Sequence, residues 1–290
     1  MARQADPWRV RLRRLGFALQ TALGRPRGFF SPYRYAASVA PPVGYPVLQA
    51  RFVEAFGAPA TGGMAVPADV AAAITGFADD LAALAGPAPA PRWAQTWYPG
   101  LDGAVAYAVI RSLTPARVIE VGSGHSTRFM ARAFADAGIA EARSTCIDPA
   151  PRAALGGLPV TWQRRLLSAS DVEVFARLAP GDVAFFDSSH LLWPGSDVDL
   201  MVNAILPSLA PGVLVHFHDI LLPDPYPPAW AWRGYTEQLA LSGWLVGGAA
   251  DLLWSSHYAR HHHGIDAAGP LSAIPVHEGA PETALWLIRR

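Results

Sequence analysis

The sequence predicts an α/β protein built on an open, doubly wound and mostly parallel sheet. Two observations carry this. Four short apolar runs, at residues 117–121, 144–148 (STCID), 183–187 (VAFFD) and 212–220 (GVLVHFHDI), alternate with helix-like stretches and Pro/Gly turns. Alternation of this kind implies crossover helices between parallel neighbours. The runs also carry Glu120, Asp148, Asp187 and Asp219 at or near their ends. A single terminal acid often does no more than cap the next helix. Four along one rim mark the carboxyl edge of the sheet, where such folds gather cofactors and substrates.

The first run is the most informative. Residues 117–130 read RVIEVGSGHSTRFM, an apolar strand leading through a glycine-rich turn into a helix. Gly122 and Gly124 let the backbone approach a ligand with no Cβ in the way, and the free amides of a helix starting near Ser126 favour an anionic group. Ser123, Ser126 and Thr127 complete the expected cradle. A dinucleotide-binding turn would want glycine where Thr127 stands, and Glu120 would repel a pyrophosphate. An acid suits an ammonium group, so the expected ligand is S-adenosylmethionine, with its amino group, carboxylate and sulfonium, rather than NAD. The second run ends in Asp148, where a parallel neighbour presents a carboxylate to ribose hydroxyls.

Longer segments carry a resemblance. They are WYPGLDGAVAYAVIRSLTPARVIEVGSGHSTRF, IDPAPR, FFDSSHLLWPGSDVDLMVNAILPSLAPGVLVHFHDILLPDPYP and WRGYTEQLALSGW, together spanning roughly 92–254. The chain resembles bacterial class I S-adenosylmethionine-dependent methyltransferases of the methyltransferase 24 family, and GFFSPYRYA near the N-terminus is similar to the leader of that group. DSSH, GSDV and HDI in this order are specific, whereas the glycine turn alone is weak. The resemblance implies a Rossmann-like, seven-stranded sheet with helices on both faces. Its last strand, supplied by 284–288, would run antiparallel beside the fifth.

Sugar O-methyltransferases of the macrocin and mycinamicin type are similar around the fourth and fifth runs. They carry Asp-x-x-His after the fourth strand and an acidic pair after the fifth, which bind magnesium and supply a general base. The resemblance therefore implies Asp187, His218 and Asp219 as metal ligands, His190 as the base, and Asp187 beside both cofactor and acceptor. His218 stands where the first acid of the pair would be. Magnesium prefers oxygen ligands and imidazole suits zinc, iron or manganese, so the expected ion is an unspecified divalent metal. His216 and His218 share one strand face by the period of two, either as ligands or as a buried, hydrogen-bonded pair.

Composition fits an enzyme of the cytoplasm. The 290 residues are 51% hydrophobic and 16% charged, enough for a substantial core plus an appendage. Net charge is zero, which argues against a nucleic-acid substrate. All 23 basic residues are arginine, spread over every segment. The single cysteine, Cys146, excludes an intrachain disulfide and fits a reducing compartment. No apolar run is long enough to span a bilayer.

Residues 1–95 read as an N-terminal helical extension and linker, and 96–290 as the cofactor-binding domain. Trp8, Leu12, Leu15, Leu19 and Leu23 form a helical stripe beside Arg9, Arg11, Arg13 and Arg14, expected to pack over the catalytic core or against a second subunit as a homodimer. A helix is expected at about 67–85 between Gly/Pro/Ala-rich flanks. Trp93, Trp97 and Tyr98 then enter the core, either covering the cofactor or packing inside. Residues 255–282, with RHHHG, read as a lid or recognition loop.

Three functions compete. The preferred one is methyl transfer to a small molecule, with His190 taking a hydroxyl proton and Asp187 and Asp219 around the acceptor. A second is a metal-dependent enzyme of another class using His216, His218 and Asp219, such as an iron oxygenase. A third is a cofactor-binding protein without turnover.

Overall fold

The computed structural model describes residues 7–29, 33–40, 44–56, 73–74, 76–77, 80–81, 83–84, 86–262, 274–275 and 277–290. Most of the helix expected at 67–85 and residues 263–273 of the 255–282 loop lie outside that set.

Seven strands form one sheet: β1 (Val118–Val121), β2 (Ser144–Ile147), β3 (Val160–Gln163), β4 (Val183–Phe186), β5 (Leu214–Phe217), β6 (Ala250–Ser255) and β7 (Leu285–Arg289). Their order is β3-β2-β1-β4-β5-β7-β6. All pairings among β1 to β5 are parallel, while β7 runs antiparallel to both β5 and β6. The expected α/β sheet and the antiparallel strand beside the fifth are both present. β3 escapes a hydropathy reading because it is a short edge strand with half-exposed or exposed residues, Trp162 included.

Strand residues alternate between two cores, one on each face. In β4, Val183 and Phe185 join the first and Ala184 and Phe186 the second. That two-sided burial explains the unbroken apolar runs in the sequence. Helices α1 (Pro7–Ala22) and α2 (Pro46–Phe56) come first, and α3 (Gly100–Leu113) and α4 (His125–Asp136) then cover one face. Gly103 lets α3 approach α4, since a Cβ there would lie 2.7 Å from the Phe129 ring. The other face receives the segment α5, made of Asp197–Leu200, a π turn at Met201–Ile205 and Leu206–Ser208, together with α6 (Glu237–Val246). Helix α7 (Ser256–His262) follows β6 directly.

The two N-terminal helices behave differently. Leu48, Phe52 and Phe56 of α2 are buried in the second core, where both phenylalanines meet Tyr258 of α7. Helix α1 exposes its whole apolar stripe, with Trp8, Leu12, Leu15 and Leu19 at 56–57% and Leu23 at 82%. The expectation that it lies over the catalytic core is not met. Among the described residues no helix is long and apolar enough to cross a membrane.

A buried ion pair closes the return to β7. Glu282 accepts from the Leu101 amide at 2.6 Å and pairs with Arg260 at 2.5 and 2.9 Å, both side chains less than 10% exposed. Replacing Glu282 by alanine removes the carboxylate from a buried guanidinium and the acceptor from the Leu101 amide, so a loss of about 3–5 kcal/mol is expected by urea unfolding. A loss below about 1 kcal/mol would show that water already solvates the pair.

Candidate active site

The glycine turn is built from inside the protein outward. Gly122 has φ +78°, and a Cβ on it would collide with the Asp187 carbonyl, so β1 and the end of β4 touch through bare backbone. Thr127, standing where a dinucleotide turn has glycine, accepts from the Gly124 amide at 2.9 Å and donates to Glu120 at 2.6 Å. Ser126 donates to the other Glu120 oxygen at 2.5 Å, and the Cys146 thiol lies 3.3 Å away. Glu120 is fully buried, and burial lifts its pKa to about 7 against the pull of those hydroxyls. Both its oxygens face the start of α4. The acid expected to meet an ammonium group is held by the first turn of α4, where it fixes the shape of the glycine turn.

Asp148, at the end of β2, accepts from the Ser123 amide at 2.6 Å, its hydroxyl at 3.2 Å and the Ala150 amide at 2.7 Å. Oδ2 takes both Ser123 donors and Oδ1 only the Ala150 amide, so Oδ1 has capacity for one more donor. Around this turn lies a cleft lined by Trp97, Tyr98, Ser123, Gly124, His125, Ser126, Arg152 and Asp187. Arg152 stacks over the Trp97 ring at 4.2 Å and walls one side. Trp93 does not belong to the cleft, for its ring packs on Phe129 and its Nε1 donates to Leu81.

These residues fit S-adenosylmethionine. The direct observation is His125, whose Nδ1 is buried without a partner at the cleft wall. Burial, and then Arg128 and Arg92, push its pKa down to about 4, so it is a neutral ring with an unused polar atom. Nothing in the sequence singled it out, because a histidine in a first helical turn has no periodic signature.

At the other side of Asp187 lies the second half of the site. His190 Nδ1 bonds Glu237 at 2.8 Å, and its Nε2 stands 3.3 Å from Asp187 and 3.5 Å from Asp219. His218 Nε2 meets Asp102 at 3.1 Å and its Nδ1 lies 3.6 Å from Asp187. Asp102 also accepts from the Thr283 and Ala284 amides. Arg233 reaches Asp219 at 3.2 Å, and Tyr235 stacks obliquely on His190. His190 and Asp219 both hold left-handed backbone, φ +60° and +56°, which non-glycine residues adopt at a cost of about 1–3 kcal/mol. The backbone carbonyl of His190 accepts from the Thr236 and Glu237 amides, so the start of α6 fixes this strained residue.

Electrostatics follow from that packing. Burial alone would lower the pKa of His190, but Asp187 and Glu237 outweigh it and raise it to about 10. His218 is likewise driven up by Asp187 and Asp102 against its burial. Asp187, half-buried between the two rings, is held well below the usual carboxylate range by His218 and His190. The surrounding acids favour the protonated form of both imidazoles. A base role for His190 therefore calls for its deprotonation first, against the pull of Asp187 and Glu237.

One Asp187 oxygen is shared by His190 Nε2 and His218 Nδ1, His218 Nδ1 also lies 3.9 Å from Asp219, and Asp102 fixes that ring through Nε2, so a divalent metal on Asp187, His218 and Asp219 would have to displace the contact between Asp187 and His190. Among the described residues, the His/Asp trio whose ligand atoms all lie within 4.8 Å is a different one, Asp224, His257 and His262. His216 also leaves the expected cluster. It is fully buried, bonds the Tyr98 hydroxyl at 3.1 Å and stacks on Phe185 at 3.7 Å, and burial and His218 hold its pKa down. The His216 ring stands one layer deeper along β5, its centroid 6.3 Å from that of His218, so His216, His218 and Asp219 are not assembled as a 2-His-1-carboxylate centre in this structure.

Glu237, Asp102, Arg233 and Tyr235 were missed by sequence reasoning. Glu237 and Asp102 each fall in the first turn of a helix, where an acid reads as a complement to the helix dipole. Only the fold shows that both are buried and paired with histidine.

Comparison with known proteins agrees with this geometry. Residues 119–220 match the family model of a methyltransferase domain, methyltransferase 24. The match runs from β1 to just past β5 and contains Glu120, the glycine turn, Asp187, His190 and Asp219. The matched stretch is about a third of the chain, and over it the chain is similar to a methyltransferase domain, on the α/β sheet ordered β3-β2-β1-β4-β5-β7-β6. A solved structure of a "putative methyltransferase" from Thermobifida fusca YX is 17% identical, aligned over 77% of this chain and 93% of its own, at a TM-score of 0.35. No curated protein matches the chain.

Proposed function

We propose that the chain transfers a methyl group from S-adenosylmethionine to a hydroxyl of a small molecule, with His190 as the general base. The observation that carries this is the position of Asp187. It lines the cleft of the glycine turn and touches His190, so cofactor and proton acceptor share one residue.

The cofactor supplies an electrophilic methyl on a sulfonium. Everything else falls to the chain. Ser123, Gly124 and the neutral His125 offer polar atoms to the amino-acid end, and Asp148 offers the spare lone pair of its Oδ1 to the ribose. Trp97 and Arg152 wall the cleft from water. Glu237 fixes the His190 ring through Nδ1 and leaves Nε2 facing the acceptor side between Asp187 and Asp219. Removal of the acceptor proton needs His190 in its neutral form, which then holds the proton as an ion pair with Glu237 and Asp187. Because these acids raise its pKa, the rate rises with pH well above neutrality. The side chains of Arg233, Trp230 and Tyr235, with the guanidinium 3.9 Å above the Trp230 ring, form the wall an acceptor would meet.

The test is a turnover screen of hydroxylated small molecules, with amines and carbon nucleophiles as competing panels, at pH 7 to 10. Methyl transfer to a hydroxyl with a rate climbing toward alkaline pH is the expected result. Turnover only on amines, or a rate independent of pH, would remove the base role.

A further inference from the structure

A second cluster lies outside the methyl-transfer site, between the segment that follows β5 and helix α7. Asp224 Oδ2 stands 2.8 Å from His257 Nε2 and 2.8 Å from His262 Nε2. The three ligand atoms fall within 4.8 Å of one another, with His257 buried and the other two half-buried. The elements are fixed independently of any ion. The Asp224 amide donates to Leu221 at 2.8 Å, and its carbonyl accepts from the Gln238 amide group at 3.1 Å. Helix α7 is anchored by the Ser256 amide to Ala284 at 2.9 Å, and the His262 ring stacks on Tyr258 at 4.7 Å.

We propose that Asp224, His257 and His262 bind a divalent cation of the zinc class, and that this ion staples the segment after β5 to α7. Two imidazoles and one carboxylate are a donor set that suits zinc, cobalt or nickel and not magnesium or calcium. Zinc with bonds of about 2.0–2.2 Å in tetrahedral geometry holds its ligand atoms about 3.4 Å apart. The present contacts of 2.8 Å open to that spacing by small rotations of the three side chains. Three protein ligands leave a fourth position for water or a further donor. His261, exposed, with its ring 4.7 Å from His257, is not part of the trio.

The position gives the ion a purpose. The segment after β5 carries Arg233 and Tyr235, which touch Asp219 and His190. Helix α7 carries Arg260, which reaches Glu282 and through it the start of α3. An ion between them ties the acceptor wall to the rest of the fold without touching the reacting groups. The site stands on its own donors and does not depend on the reaction proposed above.

The test uses the full chain, stripped with EDTA and titrated with zinc by calorimetry and with cobalt by visible absorption. The expected result is one equivalent bound at micromolar or lower Kd, with the intense visible bands of tetrahedral cobalt and a zinc-dependent rise in Tm. Asp224→Asn and His262→Gln each weaken binding at least tenfold and abolish the rise in Tm, while His261→Gln does neither. Two outcomes overturn the proposal. One is no zinc-dependent change in Tm and no binding tighter than millimolar. The other is binding that survives both Asp224→Asn and His262→Gln but is lost on Asp219→Asn, or on His261→Gln, which moves the ion to the methyl-transfer rim or to the run of consecutive histidines.

Discussion

Replacing Gly122 by alanine is expected to abolish cofactor binding while leaving a folded protein. The residue sits at φ +78°, and its added Cβ would meet the carbonyl of Asp187, which is backbone and cannot rotate away. The β1 and β4 ends must separate, and with them the turn that holds Ser123 and Gly124 and the carboxylate of Asp187. Left-handed strain costs about 1–2 kcal/mol by itself, and displacement of the cradle adds to it. A loss of affinity for S-adenosylhomocysteine of 100-fold or more is expected, which is about 2.7 kcal/mol. Circular dichroism close to that of the parent would show that the loss is local. Retention of binding within threefold would mean that the ligand does not use this turn.

The second large effect concerns His190 and its buried partner. His190→Gln keeps a polar side chain of similar reach but removes the base, so kcat is expected to fall about 10²–10⁴-fold with little change in cofactor affinity. Glu237→Gln probes the same relay with a different readout. The Glu237 carboxylate is one of the groups that raise the pKa of His190 to about 10. Without it that value falls, the neutral ring is populated at lower pH, and the alkaline limb of the rate profile moves toward neutrality. A residue with a merely structural role would lower the rate without moving the limb. Stability carries the same sign. A histidine raised from 6.5 to about 10 stabilises the fold fully below about pH 6.5, and that contribution is lost as pH rises toward 10. Glu237→Gln should therefore flatten the decline of Tm across this window.

The fold was legible because parallel strands buried on both faces leave continuous apolar runs, and four of these were visible from 117 to 220. β3 was not, since an edge strand with exposed Trp162 carries no such run. Placement of the candidate residues was legible where they follow a strand end, as with Asp148, Asp187 and Asp219. What the sequence hides is the direction of a side chain and the distant residue it meets. Glu120 lies in the right strand but points at Ser126 and Thr127. His216 lies two residues from His218 and faces the core. The partners of the two site histidines, Glu237 and Asp102, come from 47 and 116 positions away and meet them only after folding. The Asp224, His257 and His262 trio is hidden for the same reason, because its ligands come from two segments that the sequence treats as separate loops.

The most direct test of the account is calorimetric titration of the full chain with S-adenosylhomocysteine, alongside Asp148→Ala. The account predicts binding near micromolar, about −8 kcal/mol, weakened at least tenfold by Asp148→Ala through loss of the ribose contact and of the Ser123 anchor. Absence of binding to the parent protein would contradict it, since the cleft at the glycine turn would then serve some other ligand.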